Sequence, residues 1–420
     1  MRRQTRMIYL LVSLSLNSPL YAPTIMSDSR TYSRSLIFKG HGYPLFNPQP
    51  FDDLPLDTRR TGTEIGDVGI ITSDGSFDVI FNICRAADDP LNRFGVPDGF
   101  EQVKLSSGDI APQQLYFRPG ADVSSTKITK RRLDIDAGVE GNVFFPLGAG
   151  AVVEISTASQ TAAVLLLPDG ASRTNLRPRR IFRDYALKHG QRWYAFVNGD
   201  LDRMVENGDL YLVTGVDKCS SWSLAAIENE AEGCGLSLKL KAASVGSASA
   251  SCAWEWECAS CFANSGPRRR PEEESWTDNQ CVFLRGFKVA IRSTPLKRLG
   301  KTKVKSTEDL KPSEIQPRGR SMQISRRLSD GFGWLFVSSS GELSDGTKPY
   351  HPSDVINAYL LDSSPDAVVA VTHDDEWASV VTESKGLPSD SELLERVLDR
   401  YTVENRSGGG VCLQHIGAAG

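Results

Sequence analysis

The sequence predicts an α+β fold: a mainly antiparallel, sandwich-like β-rich domain followed by a small α/β domain. Three observations point there. From about residue 35 to 292 apolar residues recur with a period of two, the period of a strand with one buried face. Turn-forming residues and short loops separate those runs, as in antiparallel sandwiches and curled sheets. Beyond the stretch 297–320 the pattern changes to capped helical segments alternating with short apolar strands.

Each element follows from local chemistry. Residues 68–72 and 77–81 flank Ser73-Asp74-Gly75-Ser76, and Asp-Gly between β-branched runs is a hairpin signal because glycine accepts a positive φ without a steric cost. Residues 142–145, 151–155 and 162–167 read as strands, the last closed by Pro168-Asp169-Gly170. Ile181, Phe182, Tyr185 and Leu187 give residues 179–189 a partial helical face, with Gly190 as its stop. Strands are then expected at 193–197, 210–214, 222–227, 236–240 and 281–291. Residues 243–279 read as a loop excursion from the sheet, with a short strand around Trp254 and Trp256. In the C-terminal part, 333–338 and 368–372 read as strands. His351-Pro352-Ser353-Asp354 opens a helix, with proline in the first turn where its missing N–H does no harm. Residues 374–382 form a second helix with acidic residues at its positive end. Ser389-Asp390-Ser391 caps a third, which carries Leu393, Leu394, Val397 and Leu398.

The domain reading is therefore a leader or mis-assigned start at 1–34, a β-rich domain at 35–296, a charged linker at 297–325, a small α/β domain at 326–404 and a flexible tail at 405–420. At the N-terminus Arg2, Arg3 and Arg6 precede an apolar run at 7–16, the layout of a signal peptide, although Pro23 after Tyr21-Ala22 suits cleavage poorly. Met26 offers an alternative start. That run is shorter than the ~20 apolar residues of a membrane-spanning helix. The chain is expected in the cytoplasm, or secreted if the run is a signal peptide.

Composition and motifs exclude more than they assign. A net charge of -4 argues against a protein whose main partner is nucleic acid. The basic runs at 127–132, 177–180, 268–270 and 297–305 read most simply as solvated loops. Among the eight cysteines, Cys252, Cys258, Cys261 and Cys281 are spaced C-x5-C-x2-C-x19-C. One Cys-x-x-Cys is half of a zinc knuckle, so zinc, disulfides and free thiols all stay open, and no metal or cofactor is assigned. Leu299-Gly300-Lys301-Thr302 has the tail of a phosphate-binding loop, but Pro295 stands where its first glycine is needed. No Gly-x-Ser-x-Gly, His-Glu-x-x-His or Gly-x-Gly-x-x-Gly occurs. His373-Asp374-Asp375-Glu376 follows an apolar strand, where α/β units place ligand groups, and suits cation binding or acid–base work. The simpler reading is a helix start whose carboxylates favour the dipole.

One β feature bears on membranes. Residues 144–167 are Gly-rich, alternate weakly and carry no Lys or Arg. Such a segment can refold into a membrane-inserting hairpin with one face to lipid and one to water, although buried sandwich strands are commoner.

Several stretches are similar, taken together, to a family of uncharacterised β-rich proteins of mushroom-forming fungi. They are Gly66-Asp67-Val68-Gly69-Ile70-Ile71 with Phe81-Asn82-Ile83-Cys84; Trp193-Tyr194 with Phe196-Val197-Asn198-Gly199; Leu210-Tyr211-Leu212-Val213-Thr214-Gly215; and His351-Pro352-Ser353-Asp354 with Val371-Thr372-His373-Asp374-Asp375. The resemblance covers most of the chain after about residue 35. It implies a start near Met26 and carries over no activity and no catalytic residue. The leading expectation is an intracellular binding or scaffold protein acting through protein partners. The alternatives are an enzyme built around His373, Asp374 and Asp375, or a membrane-active β pore former.

Overall fold

The computed structural model describes residues 21–125, 128–132, 152–157, 161–228, 236–243, 253–257, 262–268, 273, 276–292, 348–381 and 388–417. The first elements are helix α1 (Tyr21–Leu36), strand β1 (Tyr43–Pro44), helix α2 (Leu56–Thr61), β2 (Asp67–Ile71), β3 (Phe77–Asn82) and β4 (Ile110–Phe117). Then come β5 (Ala121–Ser124), β6 (Ile128–Arg132), β7 (Val152–Thr157), β8 (Thr161–Leu167) and β9 (Ala171–Leu176). Helix α3 (Arg179–Ala195) leads to β10 (Leu210–Cys219), β11 (Trp222–Glu228), β12 (Leu236–Ala243), β13 (Ala253–Glu257), β14 (Phe262–Gly266) and β15 (Gln280–Ile291). The C-terminal part holds α4 (Pro352–Ser363), β16 (Val369–His373), α5 (Asp374–Ala378), α6 (Asp390–Leu398), β17 (Tyr401–Arg406) and β18 (Gly410–His415).

The fold is α+β and mainly antiparallel. A ten-stranded sheet runs β17-β18-β16-β15-β10-β2-β3, with β1 on β15, and β9 joining β10 to β4. Its one parallel pair among the described strands is β16 with β18. Alternation along the strands divides its two faces. Leu210, Leu212, Val289, Val369 and Val371 pack with Phe182, Tyr185 and Trp193 of α3. Tyr211, Val213, Ala370 and Val411 pack with Ile356 and Leu360 of α4, Trp377 of α5 and Leu393 and Val397 of α6. Each fully buried side chain of this size contributes ~1.5–3 kcal/mol, so the sheet is held from both sides.

The C-terminal α/β portion is present, but it completes the same sheet rather than standing apart. Met1–Ile291 and Gly346–Gly420 make one compact unit, because β16 pairs with β15 from Phe287↔His373 to Ile291↔Val369. The expected linker at 297–325 and strand at 333–338 lie outside the described residues.

Three expectations change. Residues 193–197 are not a strand: α3 continues through Gly190 to Ala195 and widens into a π-helical turn over Phe196–Asp200. Gly190 serves packing instead of termination, since a Cβ there would lie 2.8 Å from Val289 Cγ1 and 3.0 Å from Val369 Cγ1. The 405–420 tail contributes a strand: β17 and β18 form a hairpin across Gly408 and Gly409, both at positive φ. At the N-terminus, where residues 1–34 read as a leader or mis-assigned start, α1 spans Tyr21–Leu36, and its Tyr32 and Leu36 are fully buried.

Candidate functional site

The sequence singled out two regions, and the structure treats them differently. Around α5 the run His373-Asp374-Asp375-Glu376, which starts at the last residue of β16, is spent on helix capping, core contacts and a surface ion pair. His373 is the N-cap, its Nδ1 accepting from Asp375 N at 3.1 Å. Glu376 completes the capping box by accepting from His373 N at 2.9 Å. With Nδ1 an acceptor, the neutral ring carries its proton on Nε2, which reaches Thr214 Oγ1 at 2.8 Å; that hydroxyl donates to Arg285 O at 3.1 Å. Burial, with the Arg179 guanidinium adding to it, pushes the His373 pKa down to about 3.

Asp374 turns inward. Its Oδ2 accepts from the Tyr211 hydroxyl and from Gly286 N at 3.1 Å, and its Oδ1 from Trp377 Nε1 at 3.2 Å. His351 is brought beside it, with Nε2 3.4 Å from Asp374 Oδ1. His351 Nδ1 accepts from Ser353 N at 3.2 Å and caps α4. Asp375 points the other way and pairs with Arg179 at the surface. The three carboxylates therefore diverge, and His351, His373 and Asp374 are all buried. Among the described residues no group of three His, Cys, Asp or Glu is placed to hold a metal ion.

Of the four clustered cysteines, only Cys281 lies among the described residues. Its thiol is buried in the core, donates to Phe283 O at 3.4 Å and is pushed up to about 12 by burial. It is a packing residue, not a poised thiolate.

The region 121–266 is the larger departure from the sequence reading. The expected loop excursion at 243–279 contains the short strand expected around Trp254 and Trp256, which is β13, and a further strand, β14; the two complete a four-pass antiparallel array. In an inner sheet the order is β14-β11-β8-β5, and in an outer sheet β13-β12-β7-β6. The same four chain passes supply both, so β5–β8 and β11–β14 are two long hairpins lying side by side. The register steps between the two sheets: Ser124↔Val164 gives way to Ile128↔Thr157, and Glu228↔Thr161 to Leu236↔Thr157.

The inner sheet is buried on both faces. Ala163, Leu165 and Leu167 of β8, with Trp222, Leu224 and Ala226 of β11, pack against Tyr32 and Leu36 of α1 and against Val282 and Phe283 of β15. The alternate positions Ala162, Val164, Leu166, Ala225 and Ile227 are buried as well. Charged positions are confined to its lower and upper margins, at Asp122 and Glu228.

The outer sheet separates two classes of residue by register. Arg131↔Glu154, Glu154↔Lys239 and Lys239↔Glu257 make one transverse row, and registered positions share a face. The next row, on the opposite face, is Arg132↔Val153, Val153↔Leu240 and Leu240↔Trp256. The alternation continues in sequence beyond the strands. On the β7 side Ala149 and Ala151 keep the odd parity of Val153, whereas on the β6 side the odd positions Leu133 and Ile135 have the parity of Arg131. In the second hairpin Leu236, Leu238, Leu240 and Ala242, then Trp254 and Trp256, stand at even positions, with Ser237, Lys239, Lys241, Glu255 and Glu257 between them; Ala243, Val245 and Ala253 are apolar at odd positions. A reading confined to 144–167 saw one arm of the first hairpin; the signal it lacked was the alternation at 236–242 and 254–257 of the second.

Comparison with known proteins adds no relative: no family model, no curated protein and no solved structure matches the chain.

Proposed function

We propose that the chain is a membrane-active β-hairpin protein whose two long hairpins insert together as a four-stranded amphipathic sheet. The observation that carries this reading is the outer sheet. Its two hairpins pair in one register that sets an apolar class of residues on one face and a charged class on the other. That is the pattern of a strand with one side to lipid and one to water. No described helix is long and apolar enough to cross a membrane, so the reading rests on strands alone.

The dimensions fit. Beyond the row Arg131–Glu154–Lys239–Glu257, residues 132–153 are long enough in sequence for two strands of the ~9–11 residues that span a membrane, and residues 240–256 for two slightly shorter ones. The row then lies near the water boundary. Lys130 and Arg132, the two cations on the otherwise apolar face, fall at headgroup level, where each basic residue gains ~1 kcal/mol from anionic lipid. Trp254 and Trp256 fall at the interfacial depth that aromatic girdles occupy. This reading is preferred to a partner-binding scaffold because a specific geometry supports it. It is preferred to an enzyme centred on His373, Asp374 and Asp375 because those residues are engaged in capping and core contacts.

The test is dye release from liposomes of phosphatidylcholine and phosphatidylserine by the full chain. Release of a small dye supports the proposal. Intact liposomes with the protein left in solution contradict it.

A further inference from the structure

We propose that a second copy of this chain docks on the hairpin sheet edge to edge, with β13 of one copy pairing with β6 of the next. The inference rests on the membrane reading above and names the partner that reading needs. β6 and β13 are the two outermost strands of this sheet, and among the described residues no further strand pairs with the outer side of either. An open edge is a template for another strand.

Three features commit the edges to each other. The first is direction. β6, β7, β12 and β13 alternate up and down, so β13 of one copy and β6 of the next run antiparallel and extend the sheet without a change of pattern. An even number of strands per copy lets that repeat close into a ring, the outcome of a head-to-tail contact whose rotation closes.

The second is charge. The row across the sheet reads Arg131, Glu154, Lys239, Glu257, alternating cation and anion at every step. It begins with a cation on one edge and ends with an anion on the other. Head-to-tail pairing sets Glu257 of one copy opposite Arg131 of the next and continues the alternation unbroken. Self-pairing of like edges would set Arg131 against Arg131, or Glu257 against Glu257, which costs where charges face each other directly.

The third is the opposite face. The row Arg132, Val153, Leu240, Trp256 ends at Trp256 on the β13 edge and at Arg132 on the β6 edge. Arg and Trp at neighbouring cross-strand positions are a favourable cation–π combination. Both faces thus favour the same junction.

Charge reversal in trans tests this. The R131E chain and the E257R chain are each assayed on phosphatidylcholine–phosphatidylserine liposomes, alone and as an equimolar mixture. Alone, each has like charges at every junction, and the expected result is at least a tenfold loss of dye release with bound protein remaining small on a detergent gradient. In the mixture the variants alternate and every junction is matched, so release and ring-sized assemblies return. The new contacts inside each variant, Glu against Glu154 or Arg against Lys239, persist in the mixture, so rescue is not attributable to them. A mixture no more active than its components, or single variants as active as wild type, overturns the edge pairing. Loss of dye release by wild type itself overturns the membrane reading instead. Should a reversed chain fail to fold by circular dichroism, the conservative R131K chain is treated on liposomes with a carbodiimide. The reagent condenses the introduced ammonium with a carboxyl into an amide, with loss of water. A 131–257 cross-link between chains supports the pairing, since within one chain the two positions lie three strand spacings, about 14 Å, apart. Its absence contradicts the pairing.

Discussion

The Tyr211 hydroxyl donates to the Asp374 carboxylate in the interior, tying the central strand β10 to the first turn of α5. The same carboxylate also takes Gly286 N and Trp377 Nε1. One acidic side chain, read from sequence as a candidate catalyst, thus anchors the C-terminal helices to the sheet.

Asp374→Ala should therefore act on stability. It leaves a hydroxyl, an indole N–H and a backbone N–H buried without their acceptor, and removal of one partner from a buried polar network costs ~3–5 kcal/mol. Urea denaturation should show a loss in that range. An unchanged midpoint would contradict the anchoring role.

Gly190→Ala sets two effects against each other. Helix propensity favours alanine by ~1 kcal/mol. The added methyl, however, meets Val289 and Val369 at 2.8 and 3.0 Å, and overpacking of a closed core costs ~1–3 kcal/mol. Packing should win, with a net destabilisation in thermal melts. A stabilised variant would show that α3 has room to move off the sheet.

The cover of the inner hairpin sheet makes a finer test. Tyr32 is fully buried, stands edge-on to Phe46 at a ring separation of 5.4 Å and lies in the cluster with Leu165 and Leu224. Its hydroxyl has no hydrogen-bond partner among the described residues. Tyr32→Phe should be neutral or stabilising by ~1 kcal/mol, whereas Tyr32→Ala should cost ~3–5 kcal/mol through the cavity it leaves. Equal losses for the two variants, measured by urea denaturation, would contradict this account.

Acid should weaken the fold through its buried imidazoles. Burial lowers the pKa of His373 to about 3 and, with Arg173 adding to it, that of His41 to about 4, against ~6.5 in an unfolded chain. Both rings are neutral in the folded state over most of the interval between. As pH falls below about 6.5 the unfolded chain takes up those protons first, so stability declines from there toward pH 3 to 4. Each histidine contributes a slope of up to ~1.4 kcal/mol per pH unit. His373→Gln should flatten the acid limb of a stability–pH curve by about that amount. An unaltered slope would contradict the burial argument.

Sequence made the regular elements legible where one physical signal dominated. Asp74-Gly75 set the β2–β3 turn, and Gly75 does take a positive φ. Ser389 caps α6, its hydroxyl accepting from Glu392 N as the capping box requires. Signals failed where burial blurred the period. Trp193, Tyr194, Phe196 and Val197 are all buried, so a helix enclosed on most sides read as a strand. Gly190 read as a stop because sequence does not show that a sheet passes under it. A short strand was legible around Trp254 and Trp256, where β13 lies, but the small residues at 244–252 and the charged residues at 267–274 hid β14 and the second hairpin to which both belong. The acidic run at 374–376 looked like a site because sequence shows charges together, not that Asp374 and Asp375 face opposite ways.

The central claim is that the hairpins present one face to lipid, and two adjacent positions test it most directly. Ala242 pairs with Trp254 and shares the face of Leu240 and Val153, whereas Ala243 pairs with Ala253 and shares the face of Lys239 and Glu154, so arginine at either site adds a cation at nearly the same depth on opposite faces. Dye release from phosphatidylcholine–phosphatidylserine liposomes should fall more than tenfold for Ala242→Arg, since a lipid-facing arginine costs ~2–4 kcal/mol toward mid-membrane. It should stay near the wild-type level for Ala243→Arg. Equal release by both variants, or a loss confined to Ala243→Arg, would contradict the account.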